Sequence, residues 1–172
     1  MGRFLAIVIL VSALAAGAAM YYFQVYGFYT EVEPNGTDDV VLIETATGEP
    51  AAIAYGDFRA IDADSSPIRY RACFTTTQDL AELSATFTAY EDAAPRVAPG
   101  WFDCFDAEEI GDALADGSAL AFLGQRNLEY GIDRVVAVME DGRGFVWHEV
   151  NDCGEKAYDG SPVDDSCPPR GF

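Results

Sequence analysis

The sequence predicts an α+β domain: an antiparallel sheet with two short helices, pinned by disulfides, behind one N-terminal transmembrane helix. Three observations carry this expectation. Short β-branched or alternating runs recur between turn residues, which is the pattern of strands in a meander or hairpins. Two stretches change to a spacing of three and four, which is that of helices. Four cysteines, at 73, 104, 153 and 167, follow an apolar start in a chain of 172 residues.

From Phe4 to Met20 there is no charged residue, and the aromatic cluster Tyr21, Tyr22, Phe23, Tyr26, Phe28 and Tyr29 follows. A helix needs roughly 20 mainly apolar residues to cross the hydrocarbon layer, and aromatic rings gather where that layer meets water. Residues 1–29 are therefore expected to form a membrane anchor, inserted through residues 4–29. Arg3 precedes the segment, while Glu31, Glu33, Asp38 and Asp39 follow it with no basic residue before Arg59, so the N-terminus is expected in the cytoplasm. Ala13-Leu14-Ala15 and Ala16-Gly17-Ala18 resemble signal-peptidase sites. The apolar and aromatic continuation beyond them favours an uncleaved anchor, and either reading sends the rest of the chain across the membrane. Ala13 and Gly17, four apart, form a small-residue face on which a second helix could pack closely.

About 140 residues remain beyond the anchor, the size of one domain with its own core. Hydrophobic residues at 50% and aromatics at 13% exclude a disordered acidic tail. With 29 acidic and 10 basic residues the net charge is −19, a field that repels phosphate backbones and excludes nucleic acid as a partner. A basic periplasmic protein would be attracted. Four cysteines in an exported domain permit three pairings. Cys73 with Cys104 and Cys153 with Cys167 are preferred, because each closes a modest loop between segments that the pattern brings together.

Residues 30–39, rich in turn formers, read as a tether, and the domain is expected over 40–172. Val40 to Thr45 is the first strand, and Ala51 to Tyr55 pairs back on it through TGEP. Asp57 to Ile61 and Ile68 to Thr75 are further strands. In the latter, Arg69 and Arg71 alternate with Tyr70 and Ala72, as on a half-exposed strand. Leu80, Leu83, Phe87 and Tyr90 lie on one helical face, with Thr76 or Thr77 available as N-cap. Asp106 and Glu109 read as the capping box of a second helix that ends at Gly117. Ala119 to Leu123, Arg134 to Met139 and Phe145 to Val150 are the last strands, the final two joined through Asp141-Gly142. From residue 151 a loop-rich tail carries the last two cysteines.

No chemical constellation stands out, and no cofactor signature is present. His148 is the only histidine, which excludes a multi-imidazole metal site, and no Gly-x-Ser-x-Gly elbow or Walker loop occurs. Asp62, Asp64 and Ser66 have the spacing of oxygen ligands, but Pro67 and Cys73 replace the glycine and glutamate that an EF-hand needs. Asp62 and Asp64, with Asp164 and Asp165 in the tail, read as turn formers before metal ligands. Trp101, Phe102, Trp147 and His148 are the candidate partner-docking residues.

At YRACF, PGWFDCFDAEEIG, YGIDRVVAV and DGRGFVWHEVN the chain resembles an uncharacterised alphaproteobacterial family of single-pass membrane proteins with a small exported domain. The resemblance covers nearly the whole chain and implies no activity. Sequences of this kind sometimes carry a histidine kinase label. The residues here contradict it: they include no phospho-acceptor helix, no Asn-containing ATP box and no glycine-rich lid. The expected function is therefore non-enzymatic, an accessory, assembly or protein-binding module of an inner-membrane complex, with the domain in the periplasm. The alternatives are a periplasmic hydrolase using carboxylates, or a calcium- or ligand-sensing ectodomain.

Overall fold

The computed structural model describes residues 1–161, 167 and 168. Helix α1 spans Gly2–Tyr22 and continues through a π-helical turn, Phe23–Gly27. The segment Gly2–Gly27 is long and apolar enough to cross a membrane, and none of its most apolar stretch is buried by the rest of the chain. Strand β1, Thr30–Val32, follows at once. The hairpin β2 (Val41–Ile43) and β3 (Pro50–Ala52) forms a small sheet of its own. Next come β4 (Gly56–Asp62), a 3-10 turn at Pro67–Arg69, β5 (Arg71–Thr75) and α2 (Leu80–Thr86). Helix α3 (Ala107–Asp116) and strands β6 (Ala119–Glu129), β7 (Ile132–Met139) and β8 (Arg143–Val150) complete the fold. The large sheet has the order β1-β4-β5-β8-β7-β6, with every neighbouring pair antiparallel. The architecture is thus α+β with an antiparallel sheet.

Both faces of this sheet are covered, which decides the burial of its central strands. On one face Ile61, Cys73, Val135, Ala137, Phe145 and Trp147 pack against Ile110 and Ala113 of α3 and against Phe102 and Phe105 of the preceding loop. On the other, Ala72, Phe74, Val136, Val138 and Val146 meet Leu83 of α2 and Val40, Leu42 and Ile53 of the small hairpin. Burying such side chains on folding contributes roughly 25 cal/mol per Å² of apolar surface removed from water. Where Phe74 crosses β8 its ring lies over Gly144, and a Cβ there would overlap it, so the closeness of these two strands requires glycine.

Several sequence expectations are corrected. Residues 30–39 are not a free tether: Thr30–Val32 pairs with Ala60–Asp62 as the edge strand. The following loop is held by Asp39, which accepts from the Asn35 and Gly36 amides and from the Tyr55 hydroxyl. Strand β5 is not half-exposed, because it lies between β4 and β8 and even Arg71 is only 4% exposed. Helix α2 stops at Thr86 and is capped by Asp79, not Thr76 or Thr77. The β-branched Thr86 and Thr88 favour extended backbone, and the stretch they frame pairs instead. The Thr88 amide donates to Ile43, while the Tyr90 amide donates to Ala121, so this stretch stitches the small hairpin to the edge of β6. Asp106 caps α3 through the Glu108 and Glu109 amides, but the Glu109 carboxylate turns to Arg143 and no capping box closes.

Candidate functional site

Three polar or aromatic assemblies interrupt the apolar packing. The first joins α1 to the domain. Trp101 donates from Nε1 to the Val25 carbonyl at 2.7 Å, stacks on Tyr26 and meets Tyr29 edge-on. The Arg69 guanidinium lies over Tyr29 and donates to the Gln24 carbonyl at 3.4 Å. The last carbonyls of a helix have no partner within it, and Gln24 and Val25 in this terminal turn find their donors in the domain. The loop bearing Trp101 is itself fastened to β5 by the Cys73–Cys104 disulfide, whose Cα atoms are 6.3 Å apart.

The second assembly is buried beneath the 3-10 turn. His148 on β8 faces Pro67: its Nδ1–H donates to the Pro67 carbonyl at 2.6 Å, while Nε2 accepts from Arg134 Nε at 3.1 Å. This pair of contacts assigns the neutral tautomer. The ring stacks on Tyr70, and the Arg134 guanidinium lies over the same tyrosine. Burial pushes the His148 pKa down to about 4 and the Tyr70 hydroxyl up to about 12. On the opposite face, Arg71 donates, among the described residues, to the carbonyls of Ile68, Tyr70, Arg96 and Val97, and rests over Phe105. Burial lowers its pKa to about 10, so it stays charged at neutral pH.

The third assembly is an acidic cleft at the far end of β7 and β8. Asp133 and Glu149 stand directly opposite each other on neighbouring strands. Asp133 is 1% exposed. Its Oδ1 accepts from the Asn127 amide at 2.8 Å and from Asn151 Nδ2 at 2.6 Å, whereas Oδ2 has no hydrogen-bond partner among the described residues. The Glu149 carboxylate accepts from Trp147 Nε1 and from the Ala94 amide. Two carboxylates facing each other on one side of a sheet repel, so their retention in a buried position calls for compensating donors. Together with Tyr90, Asn151 and Arg126 they line a cleft of about 530 Å³. Burial, followed by the Asp133 and Glu149 charges, raises the Tyr90 pKa above its ordinary value.

The docking residues expected from sequence separate here. Trp147, His148 and Phe102 are buried and present no surface, because the loop before α3 and the 3-10 turn cover the sheet. Trp101 is half-buried and contacts the end of α1. Asp62 accepts from the Ala63 amide, and Asp64 occupies an exposed turn. Among the described residues no three His, Cys, Asp or Glu side chains are grouped to hold a metal ion. Asp164 and Asp165 lie outside the described residues. Ala13 and Gly17 are exposed on α1. The disulfides are Cys73–Cys104 and Cys153–Cys167, the preferred pairing.

Asp133, Glu149 and Asn151 were not singled out in the sequence, although a signal exists. Asp133 alternates with Val135 and Ala137, and Glu149 alternates with Trp147 and Phe145, so each acid holds a position on an apolar face.

No curated protein and no solved structure matches the chain. A family model does match, over residues 40–168, which is well over half of the chain, and the chain therefore belongs to the family of unknown function DUF6446.

Proposed function

We propose that the chain is a single-pass protein of a bacterial inner membrane, with a cytoplasmic N-terminus and a periplasmic domain. In this reading it serves as a non-enzymatic accessory, assembly or protein-binding module of a membrane complex. The observation that carries the reading is the junction at Trp101. An apolar helix with no buried residue ends in a turn whose carbonyls are held by side chains of the domain, so the helix and the domain are joined as one directed unit. A flexible tether would serve a protein that needs only proximity to the membrane; a fastened junction serves one that presents a particular face to a neighbour. Two disulfides support an oxidising compartment for the domain. The single arginine in the first turn of the helix and the acidic residues after it support the orientation.

The test is a crosslinked pull-down of the full-length protein from its native membrane after mild detergent extraction, read by mass spectrometry. The same membrane complex is expected in repeated preparations with the native anchor. Replacing residues 1–22 by an unrelated apolar helix, with the junction residues Gln24 to Tyr29 kept, then separates the two possible contact surfaces: retention points to the domain, and loss points to the Ala13 and Gly17 face of α1. Repeated recovery as a lone monomer overturns the reading.

A further inference from the structure

We propose that the cleft between β7, β8 and the segment around Tyr90 is a receptor for a lysine-type ammonium group carried by a basic segment of a partner protein. This supplies partner chemistry for the accessory reading and rests on it only for the identity of the partner. The site begins with Asp133, which is 1% exposed and lines the cleft, and whose Oδ2 lacks a donor among the described residues. A carboxylate removed from water needs its lone pairs satisfied, because the interior does not replace lost hydration. The other oxygen shows the pattern: Oδ1 has both an amide and a side-chain donor, from Asn127 and Asn151. Oδ2 is the unpaired half of an otherwise completed acceptor, and because it is buried the occupant reaches it only by displacing the side chains that cover it.

The occupant follows from what surrounds that oxygen. Glu149 stands opposite Asp133 on the same face, adding a second negative charge. Glu91, Asp92, Asp152 and Glu155 line the exposed part of the cleft, against Arg126 as the cation among the lining residues. The field therefore selects a cation. A guanidinium binds best when both oxygens of a carboxylate are free for a fork of two donors, whereas a lysine ammonium acts as a point charge with three donors. With Oδ1 already engaged, Asp133 has one unpaired oxygen, which suits the ammonium. Bare divalent metal binding is disfavoured by the absence of any group of three ligating side chains among the described residues. The volume, about 530 Å³, exceeds what one ion fills and lies in the range of small-molecule and side-chain pockets. The four outer carboxylates extend the negative surface beyond the reach of one ammonium, which favours a run of basic residues over a monovalent amine.

The experiment is calorimetric titration of the full-length protein in non-ionic detergent at low salt. The probes are acetylated and amidated trilysine, the same peptide with acetylated side chains, spermidine and calcium chloride. Trilysine is expected to bind with one site per chain and the acetylated peptide is not, with Asp133→Asn weakening affinity about tenfold or more. The exposed pair Asp92→Asn and Asp152→Asn is expected to weaken it about threefold while leaving the melting temperature unchanged. This second variant keeps the test decisive if Asp133→Asn fails to fold. No heat with trilysine overturns the proposal, as does binding indifferent to the Asp92 and Asp152 changes. Spermidine binding as tightly as trilysine would assign the site to a free polyamine, and calcium displacing trilysine at equal stoichiometry would assign it to a metal. Either result overturns the peptide receptor while leaving the accessory reading standing. Loss of the complex in the pull-down, with trilysine binding intact, would reverse that outcome.

Discussion

His148 shows how one side chain can be the most suggestive in the sequence and the least available in the fold. A lone histidine invites a catalytic or docking role. Here its Nδ1 is taken by the Pro67 carbonyl and its Nε2 by Arg134, while Tyr70 covers the ring. Its neutral form is the one these contacts need, and protonation would place a charge beside Arg134. The unfolded chain takes up a proton near pH 6.5, whereas the folded chain does so only near 4. Between those values the unfolded state binds more protons, so stability falls as the pH drops from about 6.5 to 4 and does not depend on this residue above that window. The loss should be on the order of 2 to 3 kcal/mol across the window. Urea unfolding at a series of pH values would measure it, and His148→Gln should flatten the slope. An unchanged slope in the variant would mean that carboxylates, not His148, govern acid stability. Asp133 is the converse case: a residue hidden within the run YGIDRVVAV proves to be the buried acid whose unpaired oxygen distinguishes the cleft.

Among the elements, the turn at Tyr130-Gly131 and the loop before α3 carry most of what the periodicity did not show. Glu129 pairs with Ile132, so Tyr130 and Gly131 form a two-residue connection, with Gly131 at φ 82°. That conformation favours glycine, and a Cβ at 131 would also overlap the backbone of Gly154. Strands β6 and β7 are consequently longer than their apolar cores suggest, and Asp133 falls inside β7. The Trp101 loop fastens α1 to the sheet. Spin labels at Gln24 and Glu108 should report a narrow distance distribution in the native chain and a broadened one in Trp101→Ala. The melting temperature of the domain should shift by less than about 5 °C, because Trp101 is only half-buried and packs at the margin of the core. Trp101→Phe should fall between the two, keeping ring contact without the hydrogen bond to Val25. Equal distributions in all three proteins would show that the junction does not orient the helix.

The molecule as a whole is a sheet covered on both faces, with one disulfide tying the aromatic loop to its central strand and another closing the C-terminal region. Cys73 and Cys104 are 31 residues apart and Cys153 and Cys167 are 14 apart. Loop-closure entropy then predicts that paired replacement by alanine costs about 3 to 4 kcal/mol for the first and about 3 kcal/mol for the second. Equilibrium urea unfolding would check both, and a cost below about 1 kcal/mol for the first would mean that the loop is held by packing alone. The α+β class, the strands of the hairpins, the apolar helix and the preferred cysteine pairing were legible because each rests on local periodicity, turn chemistry or short loops. The edge strand at Thr30–Val32, the burial of Arg71, Trp147 and His148, the early end of α2 and the convergence of Asp133 with Glu149 were not. Each depends on which segment covers which face, and that is set by pairing between strands far apart in sequence, where no local period carries the information.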